Sequence, residues 1–264
     1  MLQWARVSIL LAGVVLALPA AAELRFHFED QFAAAERVKL TAWVTETAEA
    51  LASLVGEFPF DVHVHLYRRD GASQPVPWAH TRRGRAQGVH LHVDPRFPLE
   101  DFRRDWTAPH ELGHLVLPYL GSSHAWFAEG FASYLQYEVM IAMGVLGRAE
   151  ANGRYRERIE RARQRYGHPQ RPFAAAAPRL RAEGNYPTMY WGGAVYFLNA
   201  DAALRQRGRS GLISLLRDYL ACCRSGYATP RRVARDLDRL SASTLFETQL
   251  ERFEQTPGFP DWPL

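Results

Sequence analysis

The stretch "APHELGHLVLP" (residues 108–118) places two histidines and a glutamate within five positions of an otherwise apolar segment. On a helix, His110 and His114 project from one face, one turn apart. Two imidazole nitrogens in that arrangement suit one zinc ion, which binds each at about 2.0–2.1 Å. Glu111 is rotated by about 100° from His110, too far to bind the ion but within reach of an attacking water. The stretch therefore predicts two ligands and the general base of a hydrolytic zinc centre.

A catalytic zinc needs a third protein ligand and keeps one coordination position open. The metzincin spacing is excluded, because position 120, six residues after His114, is a leucine. Two residues further along remain as alternatives, His124 and Glu129. Glu129 lies in the apolar segment "WFAEGFASYLQ" (126–136), where an unpaired carboxylate is costly to bury. A metal ion removes that cost, which favours Glu129.

The chain begins with "MLQWARVSILLAGVVLALPAAAEL", which contains one arginine, an apolar run from Val7 to Leu18 and a row of alanines. This order is typical of a secretory signal peptide, and the apolar run is too short to span a bilayer comfortably. We predict that residues 1–22 are a signal peptide and that the protein is periplasmic or secreted. No later segment is long and apolar enough to be transmembrane, so no membrane span is expected after cleavage.

Hydrophobic periodicity predicts the rest of the organisation. Steps of three and four residues predict an amphipathic helix over 32–55, and alternation predicts strands over 60–68 and 88–94. The loop between these strands is rich in turn residues and has room for a short central strand. The segment 105–120 is predicted to form a helix that stops at Pro118. Further helices are predicted over 122–144, 187–208, 210–223, 231–239 and 243–256. The result is an α+β fold: a small mixed-sheet lobe (23–120), a mainly helical lobe (121–264) and the zinc site at their seam.

The net charge of +4 is carried almost entirely by arginine, since Lys39 is the only lysine. Arginines of segment 154–171 alternate with glutamates at helical spacing, which predicts a solvated helix face. No motif supports nucleic-acid binding. Cys222 and Cys223 are adjacent, and a bridge between neighbours closes a strained eight-membered ring. We therefore predict two buried thiols within a helix rather than a disulfide.

Four histidines of the two predicted strands, His63, His65, His90 and His92, recur at alternate positions and so share one face of each strand. Polar residues on the open face of a sheet need no ligand role. We interpret these histidines as surface residues, not as a metal site.

The motif "HELGH" followed by "WFAEGFASY" resembles the gluzincins, a clan of zinc metallopeptidases with a thermolysin-like catalytic domain. In that clan the third ligand is the glutamate of a W-x-x-E-G-x-A helix. The resemblance implies that His110, His114 and Glu129 bind one catalytic zinc ion and that Glu111 is the base. Ser133, one turn after Glu129, is a candidate hydrogen-bond partner for a ligand histidine.

The resemblance extends to "MYWGGAVYFLNADAALRQRGRSGLISLLRDYL" (189–220), which is similar to a helix and following segment of glycyl- and alanyl-aminopeptidase-like families. In those families a tyrosine of this helix donates a hydrogen bond to the developing oxyanion. That role falls here on Tyr190, with Tyr186 as the fallback. Peptide or protein is the implied substrate.

One departure concerns the free amine of the substrate. The related aminopeptidases bind it with a glutamate of a G-x-M-E-N-like strand before the zinc helix. We align that strand with "GVHLHVD" (88–94), which has no acid before Asp94. This favours an endopeptidase whose peptide substrate adds to that strand as to a sheet edge. An aminopeptidase of narrow specificity is the first alternative, and a non-catalytic zinc-containing binding protein is the second.

Overall fold

The computed structural model describes residues 22–262. All but the last residue of the predicted signal peptide therefore lies outside the described residues. Between residues 22 and 262, none of the helices is both long enough and apolar enough to cross a membrane.

A four-stranded mixed sheet is formed by the N-terminal part of the chain. Its strands are β1 (Leu24–Phe28), β2 (Val62–Arg68), β3 (Trp78–Arg82) and β4 (Gln87–Val93). The spatial order is β1-β2-β4-β3, with β1, β2 and β4 parallel and β3 antiparallel to β4. The two predicted strands and the short strand in the loop between them are confirmed. β1 was not predicted, because "LRFHF" is only five residues long.

The helices account for most of the remaining chain. The predicted helices are confirmed with shifted ends, whereas the helices Leu99–Arg104 and Phe173–Ala182, the second with Pro178 in its interior, were not predicted. The helices are α1 (Ala34–Val55), α2 (Leu99–Arg104), α3 (Thr107–His114), α4 (Ala125–Ala142), α5 (Arg148–Gln164), α6 (Phe173–Ala182), α7 (Tyr186–Gln206), α8 (Leu212–Cys222), α9 (Pro230–Ser241) and α10 (Leu245–Gln255), with a 3₁₀ turn at Ser122–His124.

The sheet buries one face and leaves the other partly open. Val62, Val64 and Leu66 of β2 are fully or almost fully buried, as are Val89 and Leu91 of β4. Helix α1 contacts β1, and α3 contacts β3 and β4, so the zinc-motif helix packs directly on the sheet. The alternate positions of the strands carry the histidines, on the opposite face.

Helix α3 ends at His114, four residues before the predicted stop at Pro118. Two arginines from distant segments bind the carbonyl groups exposed at this helix end. Arg83 donates to the carbonyl oxygens of His114 and Leu117, and Arg224 donates to that of Leu115 at 2.9 Å. These contacts satisfy acceptors that a longer helix would have satisfied itself, and positive charge is favourable at a helix C-terminus.

The prediction of two free thiols is wrong. Helix α8 ends at Cys222, and Cys223 already has a non-helical φ of −131°. The two sulfurs are joined in a disulfide between neighbouring residues. The helix terminus explains the difference, because the second cysteine is not held in helical geometry.

Candidate active site

Three predicted ligands come together where α3 packs against α4. We call His110, His114 and Glu129 the helix cluster; their ligand atoms all lie within 4.8 Å of one another. Glu129 Oε2 is 3.2 Å from His110 Nε2 and 3.4 Å from His114 Nε2. Tetrahedral zinc with bonds of about 2.0–2.1 Å separates its ligand atoms by about 3.3 Å. The donor set and these two separations therefore fit a zinc ion.

Burial and neighbouring charges change the pKa values of the side chains in the helix cluster. The His110 side chain is only 3% exposed and that of Glu129 is 23% exposed. Burial by itself raises the pKa of Glu129, but the positive charge of His114 and hydrogen bonds from both histidines outweigh it, so the pKa is lowered. For His110 burial opposes the charged form, yet Glu129 and Glu111 raise its pKa. The carboxylate is therefore ionised and available to a cation.

Gln136 holds His110 in position. Its Oε1 lies 2.9 Å from His110 Nδ1, and its side chain is buried on α4 almost two turns after Glu129. An acceptor at Nδ1 fixes the tautomer that leaves Nε2 free for an ion. Ser133, the residue proposed for such a role from sequence, makes no hydrogen bond to either histidine. Sequence reasoning missed Gln136, although it lies seven residues after Glu129 on the same helix face.

Glu111, the predicted base, is positioned by a residue of the sheet. The hydroxyl of Thr81 on β3 lies 2.8 Å from Glu111 Oε2 and 2.8 Å from its backbone oxygen. Such contacts restrict the carboxylate to one orientation beside the helix cluster. Thr81 had no sequence signal, because β3 is brought to α3 only by the fold.

Tyr190 reaches the same place from α7. Its ring stacks on His110 with 5.9 Å between ring centroids, and Tyr186 lies beside it. Burial raises the pKa of Tyr190, and the negative charges of Glu129 and Glu111 raise it further. The phenol therefore stays protonated and able to donate a hydrogen bond.

Two glycines allow α4 and α7 to touch. A Cβ atom at Gly130 would lie 2.3 Å from the backbone of Gly193, and one at Gly193 would lie 2.1 Å from the Trp126 carbonyl oxygen. Only glycine permits this approach. The contact explains the glycine next to Glu129 and brings the ligand and Tyr190 to one wall of the site.

A cleft of about 410 Å³ opens onto these residues. This size suits a small molecule or a few residues of peptide. Among residues 22–262, the carboxylates that line it are Glu111 and Glu129 alone, whereas Arg83 and Arg181 supply positive charge. Burial, followed by repulsion from Arg224, lowers the pKa of Arg83 to about 10, so it remains charged near neutral pH.

The strand that borders the cleft differs from the predicted one. Strand β4, which contains the "GVHLHVD" segment, is an inner strand between β2 and β3 and has no free edge. The edge beside the site is β3, whose Ala79, His80 and Thr81 line the cleft. Periodicity identifies strands but not their order, so only the fold could reveal this.

The alternative ligand His124 and the strand residue Asp94 both lie apart from the helix cluster. His124 belongs to the 3₁₀ turn before α4 and is not among the grouped ligand atoms. Asp94 is fully buried at the end of β4, where its carboxylate accepts hydrogen bonds from the backbone N–H groups of Gly71 and Ala72 and from Arg96. It is therefore committed to the loops of the sheet and does not line the cleft.

No protein family's sequence profile matches the chain, and no curated protein is significantly similar to it in sequence. Solved structures are similar in fold. An aminopeptidase N family protein from Idiomarina loihiensis superposes with a TM-score of 0.63 at 16% identity, covering 91% of this chain and 46% of that protein. An M1 zinc metallopeptidase from Deinococcus radiodurans gives a TM-score of 0.54 at 17% identity, with 90% and 50% covered. A two-domain M1 zinc metallopeptidase variant bound to L-arginine gives 0.57 at 16% identity, with 91% and 50% covered.

These likenesses confirm the predicted fold, that of a gluzincin catalytic region. The chain spans about half the length of the structures it matches.

Proposed function

We propose that this chain, which has the fold of the M1 zinc metallopeptidases, is a zinc-dependent peptidase. The observation that carries the proposal is the helix cluster with Glu111 beside it: three zinc-type ligands at fitting separations, a carboxylate outside the ligand set, and an open cleft in front of both. A structural zinc site needs no base and is closed by a fourth protein ligand. This argues against a non-catalytic zinc-containing protein.

His110, His114 and Glu129 would hold the ion, which when bound supplies Lewis-acid polarisation of the scissile carbonyl and a lowered pKa for the attacking water. Glu111, oriented by Thr81, takes the proton of that water and returns it to the leaving amine. The Tyr190 hydroxyl donates a hydrogen bond to the developing oxyanion. The substrate backbone pairs with the edge of β3, next to the cleft.

Cleavage at the amino end of short peptides is the mode we favour. The structures similar in fold include an aminopeptidase N family protein and a complex with a free amino acid. Endopeptidase activity is the second candidate, because no lining carboxylate other than Glu111 and Glu129 is present among the described residues to pair with a substrate amine. A free-amine peptide and its N-acetylated form separate the two. Loss of cleavage on acetylation supports the aminopeptidase, and equal cleavage supports the endopeptidase.

Substitution of the base tests the chemistry directly. Glu111→Gln keeps the shape of the side chain but removes the proton acceptor, so kcat should fall by about 10²–10⁴-fold. Zinc content, measured by mass spectrometry, should not change. The matched control is Glu157→Gln on the exposed face of α5, which should leave kcat unaltered. Unchanged hydrolysis by Glu111→Gln at full zinc occupancy would exclude the proposed mechanism.

Export belongs to the same proposal. It rests on the composition of residues 1–22 alone, and the expected result is a mature protein starting near Glu23 in the periplasm or medium. N-terminal sequencing of the protein purified from each compartment measures this. An intact Met1 on active cytoplasmic protein would refute it.

A further inference from the structure

The open face of the sheet carries a row of imidazoles that the peptidase site does not use. The strand register pairs His27 of β1 with His65 of β2, His65 with His90 of β4, and His90 with His80 of β3. Adjacent rings along this row have centroids 4.4–4.6 Å apart. Six of the ten histidines of the chain lie on this face: His27, His63, His65, His80, His90 and His92.

At the β1 end of the row, three histidines converge. Nε2 of His27 lies 3.0 Å from Nδ1 of His63, and His65 is two residues further along the same strand face. One ring nitrogen from each of the three lies within 4.8 Å of the others, the same spacing limit that the helix cluster meets. We call His27, His63 and His65 the strand cluster. All three are half-buried, so an ion can reach them from solvent.

The ligand chemistry of the strand cluster suits a borderline transition-metal ion. Two facing nitrogens need to move from 3.0 Å to only about 3.3 Å to share one tetrahedral zinc. Glu29 Oε1 lies 2.5 Å from His65 Nδ1, a carboxylate–histidine contact of the kind that orients metal-binding imidazoles. Contrary to the interpretation of the strand histidines as surface residues only, we propose that the strand cluster is a second metal site, in which His27, His63 and His65 bind one zinc ion and Glu29 orients His65.

Arg25 is paired with His63 in the strand register, so its positive charge lies beside the strand cluster. The carboxylate of Asp61 pairs with Arg25 at 2.6 Å. Asp61 therefore offsets the cationic charge that lies beside the proposed ion.

Such an ion would join β1 to the rest of the sheet. Strand β1 is an edge strand whose backbone pairs only with β2 among the described strands. A metal bound by one residue of β1 and two residues of β2 adds a cross-link between them. The site thus stabilises the pairing of β1 with β2, independently of peptide hydrolysis.

Zinc stoichiometry in four forms of the full chain tests the proposal. After equilibrium dialysis against zinc, mass spectrometry should find two ions in the unaltered chain, one in His63→Gln, one in His114→Gln and none in the double variant. The control His168→Gln, which alters a histidine paired with Glu183 outside both clusters, should keep two. The ion that remains in His63→Gln also shows that this variant is folded. The proposal is overturned if His63→Gln binds as much zinc as the unaltered chain, or if the double variant binds as much as His114→Gln. This comparison holds even if the helix cluster binds no zinc.

Two further measurements sharpen this test. Glu29→Gln should weaken the binding of the second zinc ion by about 10–100-fold, because His65 loses its orienting carboxylate. Hydrogen exchange tests the site without an activity assay. Zinc added to His114→Gln should slow the exchange of the β1 and β2 amides. Adding His27→Gln to the same variant should abolish this slowing. Exchange in β1 that does not respond to zinc contradicts the site.

Discussion

The two histidine clusters of this protein use the same side chain in opposite settings. In the helix cluster the histidines are four residues apart on α3, and the third member is a carboxylate from α4. In the strand cluster two histidines are two residues apart on β2, and the third comes from the neighbouring β1. The first is buried beside a cleft, whereas the second is half-buried on an open sheet face.

The difference shows how burial sets the need for a metal ion. In the helix cluster, the Glu129 carboxylate is largely withdrawn from solvent beside the buried His110, and an ion would add positive charge that stabilises it there. In the strand cluster His27 Nε2 and His63 Nδ1 lie 3.0 Å apart and His65 pairs with Glu29, so these side chains have partners without an ion. We therefore expect a metal ion to be integral to the first site and an added cross-link in the second.

The largest contrast should come from two matched carboxylate substitutions. Glu129→Gln removes a ligand of the helix cluster, so it should abolish both hydrolysis and one bound zinc ion. Glu29→Gln alters only the orienting contact of the strand cluster and should leave kcat and KM unchanged. Peptide hydrolysis and metal analysis on both variants measure this. The distinction between the clusters fails if Glu29→Gln is as inactive as Glu129→Gln.

A smaller but still large effect is expected from the tyrosine of α7. Tyr190→Phe removes the hydroxyl that donates to the oxyanion and should lower kcat by about 10²–10³-fold with little change in KM. Tyr186→Phe, on the preceding turn, is the control and should retain activity. Reversed effects would transfer the role to Tyr186. Zinc content should be the same in both.

The next largest effect is expected from Gln136, which positions His110. Gln136→Leu leaves His110 Nδ1 without its acceptor and should weaken zinc binding by about 10–100-fold. Competition with a chelator measures the affinity, and excess zinc should restore hydrolysis. Ser133→Ala, on the same helix, serves as the control and should bind zinc normally. Equal affinity in Gln136→Leu would show that packing alone orients His110.

The smallest effect on activity is expected at the end of β4. Asp94→Ala removes acceptors for Gly71, Ala72 and Arg96 and should cost about 2–3 kcal/mol of unfolding free energy, while kcat is unchanged. Hydrogen bonds from Arg96 hold the pKa of Asp94 well below its usual range, although burial opposes this.

A depressed pKa in the fold gives the Asp94 prediction a pH dependence. Its stabilisation is present above the unfolded pKa of about 3.9 and is lost as the pH falls toward the folded value. The unfolding difference between the unaltered chain and Asp94→Ala should therefore shrink below about pH 4, as denaturant titrations can measure. A difference in unfolding free energy that grows as the pH falls would contradict this prediction. Loss of kcat at neutral pH would instead indicate a role for Asp94 in substrate binding.

Short-range patterns were enough to predict much of the site. His110, Glu111 and His114 follow from spacing on one helix, and Glu129 follows from a carboxylate placed among apolar residues. Gln136 was missed because one polar residue on an apolar helix has many possible partners. Thr81 and Arg83 were missed because they reach the site from β3 and the segment after it, 30 and 34 residues before the residues that they contact.

The sequence by itself determined most of the elements and the zinc motif, because helix and strand periodicity and i, i+4 ligand spacing are local properties of the chain. Only the tertiary structure decided the strand order, which makes β3 the edge beside the cleft and brings His27 to His63 and His65. It also decided the close contact of α4 with α7 at Gly130 and Gly193. The physical reason is that pairing between distant segments depends on packing and burial over the whole chain, which no local pattern records.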